Sequence, residues 1–293
     1  MNSHSSRGGI IVGVDGSGSS DAAVRWAAGT AALRRVPLTL LFAQPVVSAP
    51  GWLDVGLPQD YWQWQDRQGK EVMEAARRIA EDAGGGSLRI AEKLIAAHAV
   101  GILIDCSRDA DLVVVGSRGL GKWSRRLLGS VSSSVVLHAH GPVAVVPGAD
   151  AAQVPATAPV VVGVDGSPAS ELAVEIAFDE ASRRGVELVA VHTWYDFEGA
   201  FPDENWTESK PREERVLAEQ LAGWSERYPD VAVRRVVMPD RPARHLLAQA
   251  ESAQLVVVGS RGRGGFAGMM LGSVSAEVVH SARTPVIVAR RSD

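Results

Sequence analysis

The sequence is short of cysteine, of net charge, of aromatic residues and of long apolar runs, and each shortage removes a class of protein. A single cysteine, Cys106, in 293 residues rules out an intrachain disulfide framework. Lying in the apolar segment VGILIDC, it reads as a packed thiol rather than a nucleophile. A formal net charge of -4, with acids and bases mixed along the chain, argues against a general nucleic-acid binder or a membrane-surface protein. Any anion must therefore be caught locally. No apolar stretch approaches the ~20 residues of a membrane span. The opening MNSHSSRGG has neither the basic nor the apolar region of a signal peptide, so the expectation is a cytoplasmic protein.

What the chain does have is repetition. GIIVGVDGS (9–17) returns as VVVGVDGS (160–167), an offset of 150. VVVGSRGLGKWSRRLLGSVS, from 113, returns as VVVGSRGRGGFAGMMLGSVS, from 256, and HGPVAVV (140–146) returns as RTPVIVA (283–289); both offsets are 143. A period of that size is a domain rather than a solenoid unit. PGADAAQVPATAP (147–159) is rich in Ala and Pro and has no apolar period. The expected organisation is one domain over 1–147, a linker over 148–159 and a second domain over 160–293.

Within each half, short apolar runs alternate with amphipathic helices. IIVGVD, LTLLFA, LVVVG and VAVVP are continuously rather than alternately hydrophobic, which suits a parallel sheet covered on both faces. After the first run, Val24, Ala27, Ala28 and Ala31 form a helical stripe, repeated as Val174, Ala177, Phe178 and Ala181. Ser167-Pro168 supplies an N-cap and a first-turn proline. Strand, helix, strand in repetition gives an α/β fold: two tandem doubly wound parallel-sheet sandwich domains, with ligands expected beyond the carboxyl ends of strands where the strand order reverses.

The duplicated loop has the composition of an anion site. Gly116 and Gly119 follow a buried strand and let backbone approach a ligand without a Cβ in the way. Gly129-Ser130 precede a helix whose first N–H groups and dipole suit phosphate oxygens, with Ser130 and Ser132 as hydroxyl donors. Between Gly116 and Ser130 lie Arg118, Lys122, Arg125 and Arg126 and no carboxylate; the second loop carries Arg261 and Arg263. A merely solvated basic turn is a poor account of two loops with one spacing, Gly-x-x-Gly-(nine residues)-Gly-Ser. Asp15 and Asp165 each end the first strand of a half, near the loop if those strands are neighbours. Beside a sugar, such an acid accepts hydrogen bonds from ribose hydroxyls; as a turn former in DGS, it serves only the backbone.

GVDGS after the first strand, GSRGLGKWSRRLLGSVS with its twin, and the closing Pro-Val-Ile-Val strand resemble the universal stress protein family in its tandem form, over about 10–147 and 160–290. The loop spacing is similar to that of the ATP-binding members. The resemblance implies ATP, two per chain, with room for an accompanying Mg²⁺. Asp15 then takes the ribose and adenine-side position, Ala43 reads the adenine edge through its backbone, and Val115 packs on the base. Gly116, Arg118, Gly119, Gly129 and Ser130 hold phosphates, with Val131 and Ser132 at the helix start. The second set is Asp165, Thr193, Val258, Gly259, Arg261, Gly262, Gly272, Ser273, Val274 and Ser275. The resemblance also implies an internal pseudo-dimer of the two halves through their last strands, a homodimer of chains, a regulatory protein partner, and roles in stress survival, dormancy or growth control rather than metabolic catalysis. KWSRR in one loop and GGFAGMM in the other leave room for unequal sites.

Other constellations carry less. Neither loop ends in the Gly-Lys-Ser/Thr of a Walker A sequence, which disfavours rapid turnover, although slow ATP hydrolysis or nucleotidyl transfer and a nucleotide-free scaffold remain alternatives. The dinucleotide Gly-x-Gly-x-x-Gly spacing is absent. His138 and His140 have no third ligand nearby and read as helix-end polar surface. Trp52, Tyr61, Trp62 and Trp64 crowd one insert, and WYDFEGAFPDENW occupies its counterpart; a cluster beneath a long loop and a partner surface are both open readings.

Overall fold

The computed structural model describes residues 8–44, 59–120, 128–148, 151–152, 154–194, 206–263 and 270–291. The first half contains β1 (Ile10–Val14), α1 (Gly18–Arg34), β2 (Leu38–Gln44), α2 (Gln59–Gly84), β3 (Ile90–Ala96), α3 (Ala99–Cys106), β4 (Leu112–Gly116), α4 (Ser130–His138) and β5 (Val143–Val146). The second repeats it as β6 (Val160–Val164), α5 (Pro168–Arg184), β7 (Leu188–Thr193), α6 (Trp206–Arg227), β8 (Val233–Met238), α7 (Pro242–Ala250), β9 (Leu255–Gly259), α8 (Ser273–Ser281) and β10 (Val286–Ala289).

Strand order is β3-β2-β1-β4-β5-β10-β9-β6-β7-β8, parallel within each half. The final strands, which end on bare edges if each half stands alone, pair antiparallel, Val286 with Val145 and Val288 with Val143, and join the halves into one ten-stranded sheet. Because side chains alternate across a strand, the continuous apolar runs fill two layers at once. Ile10, Val12 and Val14 belong to the layer covered by α1, α2, α5 and α6, and Val113 and Val115 to the opposite layer, covered by α3, α4, α7 and α8. Val24, Ala27, Ala28, Ala31, Ala177, Phe178 and Ala181 are all buried, as their helical spacing predicts. Cys106 is half-buried against the second layer, and burial pushes its thiol above the usual range.

Helix starts follow from the sequence. Ser17 precedes α1 with extended backbone and accepts the Ser20 N–H at 3.2 Å; Ser167 does the same for Ser170, with Pro168 in the first turn of α5. The turns before them use Gly16 and Gly166 at φ 79° and 75°, a region closed to most side chains.

Where α1 meets α5 the two halves share a buried charge cluster. Glu180, 1% exposed, receives Arg34 of the other half on one oxygen and Arg184 of its own helix on the other, both at 2.7 Å. Burial alone would raise the Glu180 pKa, but the charges and hydrogen bonds of Arg34 and Arg184 outweigh it and hold the carboxyl below its ordinary value. Arg184 also donates to Thr30 at 3.2 Å. Under the 150-residue repeat Arg34 corresponds to Arg184 and Thr30 to Glu180, so one carboxylate serves two symmetry-related arginines.

Candidate functional site

The strand order reverses between β1 and β4 in the first half and between β6 and β9 in the second, and the expected loops and acids meet at those two points. In each half the backbone leaves the sheet after the strand glycine and comes back to its start. The Gly129 N–H donates to the Ser117 carbonyl at 2.8 Å, and the Gly272 N–H to the Ser260 carbonyl at 2.8 Å. Each bond brings the chain back to the residue that follows the strand, so the next helix begins beside the strand end. Lys122, Arg125 and Arg126 lie outside the described residues.

Gly129 and Gly272 sit at the N-cap positions of α4 and α8 and offer no side chain to cap them. At α1 and α5 the chain supplies its own serine caps; at α4 and α8 the first-turn N–H groups are left to a ligand or water. Ser132 and Ser275, expected to point hydroxyls at phosphate, instead donate them to the Gly116 and Gly259 carbonyls, each at 2.6 Å, and tie helix to strand end. Ser130 remains exposed at the crevice.

The acids lie against the loops. A Cβ on Gly119 would stand 2.7 Å from Asp15 Oδ2, and one on Gly262 2.5 Å from Asp165 Oδ2. Each acid also shapes its turn, accepting the N–H of Ser17 or Ser167 on Oδ1 at 2.9 Å, while its own N–H donates to Ser20 at 3.2 Å or Ser170 at 3.0 Å. In each acid Oδ1 serves the turn, while Oδ2 faces the glycine loop. Gly116 and Gly259 answer to a different neighbour: a Cβ there would come within 2.7 Å of the Ser19 carbonyl group or 2.8 Å of that of Ala169, so their smallness admits the helix that follows the acid.

In the first half these parts enclose a cavity of about 560 Å³. Its apolar wall includes Leu41, Ala43, Leu103 and Val115, and among the described lining Asp15 is the sole acid and Arg118 the sole base. In the second half Thr193, Val258 and Leu246 hold corresponding positions, with Leu246 packing on Gly163 as Leu103 packs on Gly13. Leu103, Leu41, Ser19 and Ser20 are site residues that motif reading passes over. Of these only Ser20 had a signal, because Asp15 and Ser20 recur at the same separation as Asp165 and Ser170.

His138 is exposed at the end of α4, and the His140 backbone N–H donates to the Ser107 hydroxyl at 2.8 Å; no metal-binding group of three or more His, Cys, Asp or Glu occurs among the described residues. Trp62 and Trp64 on α2 are about half exposed, whereas Trp52, the Tyr61 side chain and residues 195–205 lie outside the described residues. No helix among the described residues is long and apolar enough to cross a membrane.

A sequence model described as the universal stress protein family matches residues 8–147 and again 157–290. The chain is 52% identical to universal stress protein Rv2623 of Mycobacterium tuberculosis, over all of this chain and 99% of that one. It is 51% identical to universal stress protein Rv2005c of the same organism, over 97% of both. Among solved structures, a universal stress protein from Archaeoglobus fulgidus shares the fold with a TM-score of 0.71 and 24% identity, covering 97% of each chain.

Proposed function

Because the chain belongs to the universal stress protein family, we propose that it binds ATP in both crevices and acts as a nucleotide-dependent regulator of stress survival, dormancy or growth rather than as a metabolic enzyme. The observation that carries this reading is the uncapped start of α4 and α8, set beside a glycine loop and facing a single carboxylate, in duplicate.

The residues fit the group. Triphosphate oxygens suit the free N–H groups of the first turn after Gly129 or Gly272, with the positive end of the helix dipole behind them. Arg118 and Arg261 add charge. The second oxygen of Asp15 or Asp165 accepts ribose hydroxyls. Val115, Leu41 and Leu103, or Val258 and Leu246, cover a base, and the Ala43 or Thr193 backbone meets its edge. A Mg²⁺ ion would travel with the phosphates. Chemistry supplied by the bound nucleotide is confined to its charge and its power to order the loops, which then present a surface to a regulatory protein. A homodimer of chains belongs to the same proposal.

The test is to denature purified protein, then identify and count the nucleotide released by mass spectrometry, with a parallel thermal titration. Two equivalents of ATP are expected, together with about 2.7 kcal/mol of stabilisation from each site when ligand is at 100 times its dissociation constant. No adenine nucleotide and no thermal shift would sink the reading in favour of a scaffold. Phosphate release over many turnovers would replace binding with slow hydrolysis.

A further inference from the structure

The two crevices are closed by different hydrogen bonds. In the first, the buried Ser19 hydroxyl grips the loop at both groups of one peptide residue: it donates to the Arg118 carbonyl at 2.7 Å and accepts the Arg118 N–H at 3.0 Å. The loop is thereby fixed to the helix that starts after the acid, and Asp15 Oδ2 accepts no hydrogen bond from the described residues. Leu120, next along the loop, is 75% exposed and stands clear.

In the second, position 169 is alanine, and the Arg261 carbonyl keeps only a 3.3 Å contact from the Ser167 hydroxyl. The loop leans on the acid instead. The Arg263 N–H donates to Asp165 Oδ2 at 3.2 Å, and Arg263 Nη2 lies 2.9 Å from where a Cβ of Gly166 would be, beside Gln220. Both carboxylate oxygens of Asp165 thus already accept backbone N–H groups, whereas among the described residues Asp15 receives one on Oδ1 and none on Oδ2.

We propose that the two sites fill in order, the first before the second, and that Ser19 is the positioning residue that sets the difference. This rests on the nucleotide-binding reading above. A ligand hydroxyl at Asp15 displaces nothing, and it meets a loop whose ordering Ser19 has already supplied. At Asp165 the same hydroxyl competes with or shares the Arg263 N–H, and Ala169 offers no hydroxyl to hold the Arg261 peptide as Ser19 holds that of Arg118.

Calorimetric titration of the full-length protein with ATP reads the sites one at a time in Gly262→Val, which retains the first, and Gly119→Val, which retains the second; in each, the new side chain meets the carboxylate rather than backbone. The first site is expected to be the tighter. Ser19→Ala in the Gly262→Val protein should weaken it by roughly fivefold, the change that one net hydrogen bond makes. Ala169→Ser in the Gly119→Val protein should tighten the second site by a similar factor without lowering the melting temperature of the unliganded protein. That gain is a result fold damage cannot imitate. Equal sites, a tighter second site, or an Ala169→Ser protein that binds no better would each overturn the proposal while leaving nucleotide binding intact. Absence of ATP binding in the unmutated protein would overturn both.

Discussion

The two halves of this chain spell their crevices with the same glycines and acids and then diverge at the residues that support them. Ser19 faces the loop in one half and Ala169 in the other; Leu120 points to solvent where Arg263 folds back; Phe42 becomes His192, fully buried, its Nδ1 2.7 Å from the Val164 carbonyl and its Nε2 3.4 Å from Glu213. At the junction the divergence has a structural use. Had both halves kept Thr30, two arginines would face each other without a carboxylate; with one glutamate at 180 the pair is neutralised once, and the halves are complementary rather than identical. The repeat gives both halves one architecture, and the differing positions give each its own contacts.

The strongest way to break that comparison is at Glu180. Glu180→Ala leaves Arg34 and Arg184, 13% and 11% exposed, without their carboxylate, and unfolding in denaturant should show a loss of about 3–5 kcal/mol. The pH dependence has a defined sign. The folded pKa lies below the ordinary 4.5, so the contribution is fully present above that value and disappears as pH falls through the folded pKa. Unfolding free energies measured down the acid limb should therefore fall more steeply for the parent protein than for Glu180→Gln.

A second comparison separates the glycines. Gly116→Val drives a Cβ to 2.7 Å from the Ser19 carbonyl group, so α1 must shift; about 1–3 kcal/mol of stability should be lost along with the site. Gly119→Val meets only the end of the Asp15 side chain and should cost far less stability while removing one equivalent of nucleotide. Equal melting temperatures for the two variants would contradict this division of labour. The smallest effect should come from the caps. Ser17→Ala and Ser167→Ala each remove one N-cap acceptor, worth about 1 kcal/mol, and the two losses should match because the cap geometry is the same in both halves.

Much of the fold could be read beforehand because it was written twice: the central strands are unbroken apolar runs, and the crossover stripes recur intact. The outer strands could not. β3 is IAEKLIA and β8 is VRRVVM, each with one neighbour; β3 is exposed at five of seven positions and β8 at Arg234 and Arg235, so their sequences carry Glu92, Lys93, Arg234 and Arg235 and lack the signature of a buried strand. At the crevice, the loop spacing and the acids were legible because both halves repeat them. What Gly116 makes room for was not. A missing Cβ looks the same whether backbone or ligand fills the space, and only the approach of Ser19 distinguishes them. Leu103 arrives from an apolar helix with no motif at all.

The antiparallel pairing of β5 with β10 has one more result. It turns every strand of the second half head to tail against the first, so the carboxyl ends that carry the crevices emerge from opposite long margins of the sheet. A small partner docked over one mouth cannot reach the other; sensing both at once takes two partner molecules, or one able to wrap around the rim.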